Sequence, residues 1–218
     1  MKKANIGFDL TLSNKIYKEN LKSLIKSSLD NLNEIEKQNK EFISKLIDKE
    51  PVEGWFETSS HLANIDWIML NSIFISSFAF FEHHLYTLAR IVEDKTSTRL
   101  TINDLSGKGI IKYCNYLFLV GNLKKADRSG KEWQEIDQFQ KVRNIIIHNG
   151  GMMISDSTKK LENHECFNFL RKRDVVMAGT TGLIRIKQIS FIEDFSDITF
   201  KISDDLTSEI SEVFKINE

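Results

Sequence analysis

One proline in 218 residues is the feature that most restricts this chain. Average usage of about 5% would supply roughly eleven. Proline removes a helix hydrogen bond and clashes with the preceding turn, so its scarcity leaves long helices free to run. Glycine costs about 1 kcal/mol at an interior helix position, and only ten are present. A sandwich of short strands, needing a turn about every 8–12 residues, fits this composition poorly. At 41% hydrophobic residues the chain is also too apolar to be disordered. A mostly helical globular fold is the expectation.

Apolar periodicity places the helices. From about Asn14 to Asp48, the positions Leu21, Ile25, Ser28, Leu32, Ile35, Asn39, Phe42 and Leu46 recur in steps of four and three. That spacing makes one stripe for a partner helix, and Pro51 marks where the helix stops. Thr58-Ser59-Ser60 are expected to cap a second helix running to about Glu93. Phe74, Phe78, Phe81, Leu85 and Leu88 form one of its stripes, with Ile68, Ile75 and Ala79 on another face. A helix greasy on several faces belongs in the middle of a bundle. A third helix after Thr101–Asp104 carries Ile110 to Val120. A fourth starts near Ser129 and ends at Asn149-Gly150-Gly151, where glycine supplies the left-handed terminus. Val175–Met177 and Leu183–Ile186 flank Gly179-Thr180-Thr181-Gly182, a hairpin pattern. The alternation in Ile198–Ile202 suggests a third strand, and Asp204–Ile216 a short last helix. The fold expected is mainly α: one domain over 1–218, an antiparallel bundle of four to five helices. A β-hairpin or three-strand insertion at about 173–203 precedes its last helix.

Charge and motif content narrow the function. Thirty Lys and Arg nearly cancel 31 Asp and Glu, so no global field recruits nucleic acid, and any such contact must be local. Two cysteines without a CxxC pair suit a reducing compartment. Met1–Asp9 has basic residues but no apolar stretch behind them, so no secretory signal is expected. The most apolar run, Trp67 to Phe81, is broken by Asn71, Ser72, Ser76 and Ser77, short of the roughly 18–20 clean residues of a membrane span. A cytoplasmic protein without membrane attachment is expected. HExxH, GxSxG and GxGxxG are absent, and Ser106-Gly107-Lys108-Gly109 lacks P-loop spacing. His164-Glu165-Cys166 offers ligand types, but adjacent side chains point apart, so neither a metal nor a cofactor is called for. His83-His84, after Phe81-Glu82, reads as a polar edge of the second helix.

One segment carries chemistry: Lys141-Val142-Arg143-Asn144-Ile145-Ile146-Ile147-His148-Asn149-Gly150. Asn144 and His148 are four apart and share a helix face, and Gln140 extends that stripe one turn back. Arg143 lies one position around, with a side chain long enough to reach the same surface. The isoleucines are expected to anchor the opposite face. Arginine binds phosphate bidentately and histidine moves protons near neutral pH. A helix-terminal histidine with a solvated arginine would be the plain structural alternative.

The string Val-Arg-Asn-Ile-Ile-Ile-His-Asn-Gly-Gly resembles the signature of the HEPN superfamily (higher eukaryotes and prokaryotes nucleotide-binding domains): arginine, a polar residue, an aliphatic stretch, then histidine. Phe78-Ala79-Phe80-Phe81-Glu82 is similar to that family's second-helix pattern. The resemblance implies a metal-independent endoribonuclease, catalytic through Arg143, Asn144 and His148, with Glu82 as an auxiliary. It also implies a homodimer with a composite RNA cleft, and a toxin or antiphage-defence role under an antitoxin or other regulatory protein. Members modified at a tyrosine carry it two residues after the histidine, where this chain has Gly150. The alternatives are a non-catalytic HEPN-like module binding nucleotide or a partner, and a helical interaction protein.

Overall fold

The computed structural model describes residues 6–47, 55–155 and 159–215. Among them are helices α1 (Ile6–Ile47), α2 (Trp55–Lys95), α3 (Ile110–Leu119), α4 (Lys131–His148), α5 (Phe167–Arg171) and α6 (Ser190–Val213), and one antiparallel pair, β1 (Val176–Ala178) with β2 (Leu183–Arg185). The protein is mainly α with a small two-strand sheet before the last helix. Two compact units divide it: Met1–Leu21 with Ser77–Gln140 and Asp194–Glu218, and Lys22–Ser76 with Lys141–Glu193.

In the first unit, α2 buries Phe78, Phe81, Leu85 and Leu88, and α6 buries Phe195, Leu206 and Ile210. Phe195 stacks on Phe78 at 5.4 Å and meets Phe139 edge-on at 5.3 Å. The chain enters α3 through a capped turn: Thr101 and Asp104 cap each other, and Glu93 Oε1 accepts the Ile102 N–H at 2.7 Å. In the second unit, Phe74 of α2 meets Phe191 of α6 edge-on at 5.1 Å. There Asn71 is buried, donating from Nδ2 to the Ile184 carbonyl and accepting the Ile186 N–H, both at 3.2 Å. This one amide fixes both backbone polarities of the chain beside β2. The hairpin pairs Val176 with Arg185, Met177 with Ile184 and Ala178 with Leu183, and Gly179 and Gly182 take positive φ around its turn.

The first helical stripe is confirmed at Leu21 and Ser28, which are buried, although α1 begins earlier than periodicity indicated. Pro51 lies outside the described residues. Four expectations need correction. Thr58-Ser59-Ser60 do not cap α2 but lie within it, because the helix already starts at Trp55. Nor is α2 enclosed on all sides: Ile68 is 48% exposed, and Ala79 and Phe80 also face solvent. The third strand does not exist. Ile198–Ile202 belongs to α6, whose buried Phe195, Thr199, Ile202, Ser203 and Leu206 follow helical, not alternating, spacing. The insertion therefore shrinks to the hairpin at 176–185. Finally, Asn64–Lys95 is long and apolar enough to cross a membrane by length and composition, despite its serines. Its phenylalanine stripe is buried against protein all the same.

Phe195→Ala should lower stability by about 3–5 kcal/mol, since three ring partners lose their contact. Urea denaturation measures it. Asn71→Leu strands the Ile186 N–H and the Ile184 carbonyl and should cost about 2 kcal/mol.

Candidate functional site

The Arg-Asn-x3-His segment occupies the last turns of α4, within the second unit. Val142 and Ile145 are buried and seat this end of the helix; Ile146 is half-buried and Ile147 is 38% exposed. The expectation that all three isoleucines anchor the core is corrected, because consecutive helical residues are turned by about 100°. Asn144 and His148 are both exposed, as a shared outer face requires. The Arg143 guanidinium reaches toward that face, donating from Nη1 to Asn144 Oδ1 at 3.0 Å. The bond points the Asn144 carbonyl oxygen at arginine and leaves its NH₂ as donors. Arg143 Nε is sealed from solvent and unbonded among the described residues. Five residues separate Arg143 from His148, about 7.5 Å along the axis and about 140° around it. The histidine is the last helical residue. Beyond it, the N–H groups of Asn149 and Gly151 both bond the Ile145 carbonyl at 3.0 Å, and Gly150 and Gly151 both take positive φ. Gly151 then packs within 3.1 Å of Leu183 for any added Cβ, which ties the helix end to β2. Exposed imidazole, amide donors and guanidinium on one helix end can hold a phosphate and move a proton beside it.

Glu82 belongs to the first unit, where its carboxylate lies against Gly109 at the start of α3, and a Cβ there would meet Oε1 at 2.7 Å. A carboxylate beside a helix N-terminus has a structural use of its own. His164, Glu165 and Cys166 are engaged separately. His164 Nδ1 accepts the Cys166 N–H at 3.1 Å, Glu165 pairs with Lys141 at 2.5 Å, and burial pushes the Cys166 thiol up to about 11.

Two features escaped the sequence reading. Residues 141–193 hold nine Lys and Arg against five Asp and Glu, although the chain as a whole carries −1. In that segment Lys159, Lys160, Asn163, His164 and Ile154 line a cavity of about 550 Å³. With Nδ1 accepting a backbone proton, neutral His164 presents Nε2–H as a donor.

The second feature is a buried polar network in the first unit. His83 is exposed, but His84 is only 3% exposed, so the pair is not a shared polar edge. The His84 ring stacks on Tyr17 at 4.4 Å, and the Tyr17 hydroxyl donates to Thr199 Oγ1 at 2.7 Å. His84 Nε2 lies 2.5 Å from Ser203 Oγ, which donates to Asn14 Oδ1 at 2.6 Å. Asn14 Nδ2 and Lys18 Nζ both donate to Asp204, at 2.9 and 2.5 Å. Burial, with the nearby charges of His83 and Lys18, pushes His84 down to about 4, against the opposing pull of Asp204.

These side chains and this fold define a mainly α protein with two histidine sites of opposite character, one exposed beside an arginine and one buried. No protein-family model matches the chain, and neither does any curated protein or solved structure.

The His84 shift gives a pH dependence. Unfolded, the imidazole protonates near its ordinary 6.5; folded, near 4. The network's stability is therefore full above pH 6.5 and is lost as pH falls from there toward 4, because the unfolded chain binds the proton first. Between pH 7.5 and 5 the wild type should lose about 2 kcal/mol more than His84→Gln, whose amide can still donate to Ser203. Urea midpoints of both proteins at the two pH values measure the difference.

Proposed function

We propose that this protein is a metal-independent endoribonuclease of the HEPN type, a cytoplasmic homodimer acting as a toxin or antiphage effector. The observation that carries the reading is the α4 terminus, where exposed His148 shares a face with Asn144, and Arg143 is hydrogen-bonded to that same Asn144. In this reading His148 takes the proton of an RNA 2′-hydroxyl. The 2′-oxygen attacks the adjacent phosphorus, the bond from phosphorus to the 5′-oxygen breaks, and that oxygen leaves with the proton that the His148 imidazolium gives back. The products are a 2′,3′-cyclic phosphate and a 5′-hydroxyl. Arg143 balances the charge that grows on the phosphate oxygens, and the Asn144 NH₂ orients phosphate or imidazole. The basic composition of 141–193 and the Lys159–Lys160 cavity suit an RNA backbone without a globally basic protein. An antitoxin or other regulatory protein would restrain the activity by covering this helix end.

Incubation with RNA in EDTA tests it. Wild type should cleave and leave cyclic phosphate ends. His148→Ala and Arg143→Ala should each lose about 100-fold or more with unchanged circular dichroism. Equal degradation by wild type and His148→Ala ends the nuclease reading. Lys159→Ala combined with Lys160→Ala should instead weaken RNA binding and flatten its salt dependence, measured by fluorescence anisotropy.

A further inference from the structure

The hydrogen bonds around His84 fix its tautomer. The Asp204 carboxylate only accepts, so Asn14 must turn its NH₂ toward it and its oxygen toward Ser203. Ser203 has one proton, and it goes to Asn14. At the 2.5 Å contact with His84 the hydroxyl oxygen is therefore the acceptor, and Nε2 carries the imidazole proton. The lone pair of the neutral ring is left on Nδ1. That atom has no hydrogen-bond partner among the described residues, nor is it one of the side-chain atoms sealed from solvent there. His84 lines a cavity of about 450 Å³ whose walls include Leu12, Ile16 and Phe80 and the polar Ser13, Asn20 and His83. Leu12, Ile16 and Phe80 are exposed large apolar side chains.

The chemistry of the walls selects the occupant. The walls hold no Lys or Arg that would favour an anion, and Lys18, on the same helix, is committed to Asp204. A hydrogen-bond acceptor on the ligand finds the wrong end of the imidazole. We propose that this cavity binds a small neutral ring compound of the indole or phenol class, with its N–H or O–H donated to His84 Nδ1. The apolar body of the ligand rests on Leu12, Ile16 and Phe80. His84 stays uncharged at neutral pH, so the acceptor is present throughout that range. The site lies wholly in the first unit and does not depend on the nuclease reading.

Indole and 1-methylindole, which differ in the single donor, are titrated against the full chain and followed by protein amide NMR shifts. Indole should give saturable shifts at Leu12, Ile16 and Phe80. The methylated compound should bind about tenfold more weakly, because it leaves the imidazole acceptor unmet. His84→Phe keeps a ring but no lone pair and should bind both compounds alike. Ile16→Trp alters an exposed wall residue instead of the buried network and should abolish indole binding with an unchanged circular dichroism spectrum. No saturable shift, saturable shifts confined to other residues, or equal affinity of wild type for the two compounds overturns the proposal.

Discussion

Phenylalanine packing between α2 and α6 is the constraint from which the other features follow. In the first unit Phe195 is gripped by Phe78, Phe81 and Phe139; in the second, Phe74 meets Phe191. Each such ring buries about 150–250 Å², so turning either helix by one residue would bring several rings into water. The azimuth of both helices is thereby set. On α2, His84 stands three residues after Phe81 and four before Leu88, on the buried stripe, while His83 is rotated about 100° toward solvent. On α6, Thr199 and Ser203 stand four and eight residues after Phe195, on its inner stripe.

The aromatic layer thus dictates where polar groups must be satisfied. Thr199 and Ser203 are buried because helical spacing puts them on the stripe that Phe195 fixes. A buried hydroxyl or imidazole left unbonded costs about 1–3 kcal/mol, and the nearby α1 residues Asn14, Tyr17 and Lys18 meet that demand. The branch through Asn14 ends at Asp204, which sets the direction of the Asn14, Ser203 and His84 protons, while the Tyr17–Thr199 branch ends at the Ser196 carbonyl. One atom remains unmatched, His84 Nδ1, on a ring that lines open volume.

Features confined to one helix were legible in the sequence. The α2 stripe, the α4 terminus with its glycines, and the shared face of Asn144 and His148 all follow from short spacings. The hairpin was legible from glycines at both ends of its turn. Misreadings arose where one string satisfies two periods. Ile198-Thr199-Phe200-Lys201-Ile202 alternates like a strand, yet Ile198 to Ile202 is also one helical turn, and Phe195 decides between them through partners far away in the chain. His83-His84 was read as one polar unit because adjacency in sequence hides the turn between neighbouring side chains. The Asn14–Ser203 bond joins residues 189 apart, and no local pattern announces it. The charge excess of 141–193 was in plain view but vanished in a total taken over the whole chain.

Helix geometry itself bears on the proposed nuclease site. Arg143 and His148 leave the α4 axis about 140° apart, so the guanidinium reaches the imidazole's face only by its side chain bending around the helix. The Arg143–Asn144 bond closes part of that angle by drawing the cation toward the amide's side, but it also occupies one of the guanidinium N–H groups that a phosphate would take. In the proposed nuclease, a second copy of the same helix end would supply what the first lacks. With two termini facing each other, the histidine of one meets the arginine of the other without either side chain reaching around its own helix. The i to i+5 spacing of the motif would then be one physical reason for the proposed pairing. The exposure of Ile147 beside His148 fits the same arrangement, because an apolar side chain at the edge of the site gains from a facing surface that excludes water.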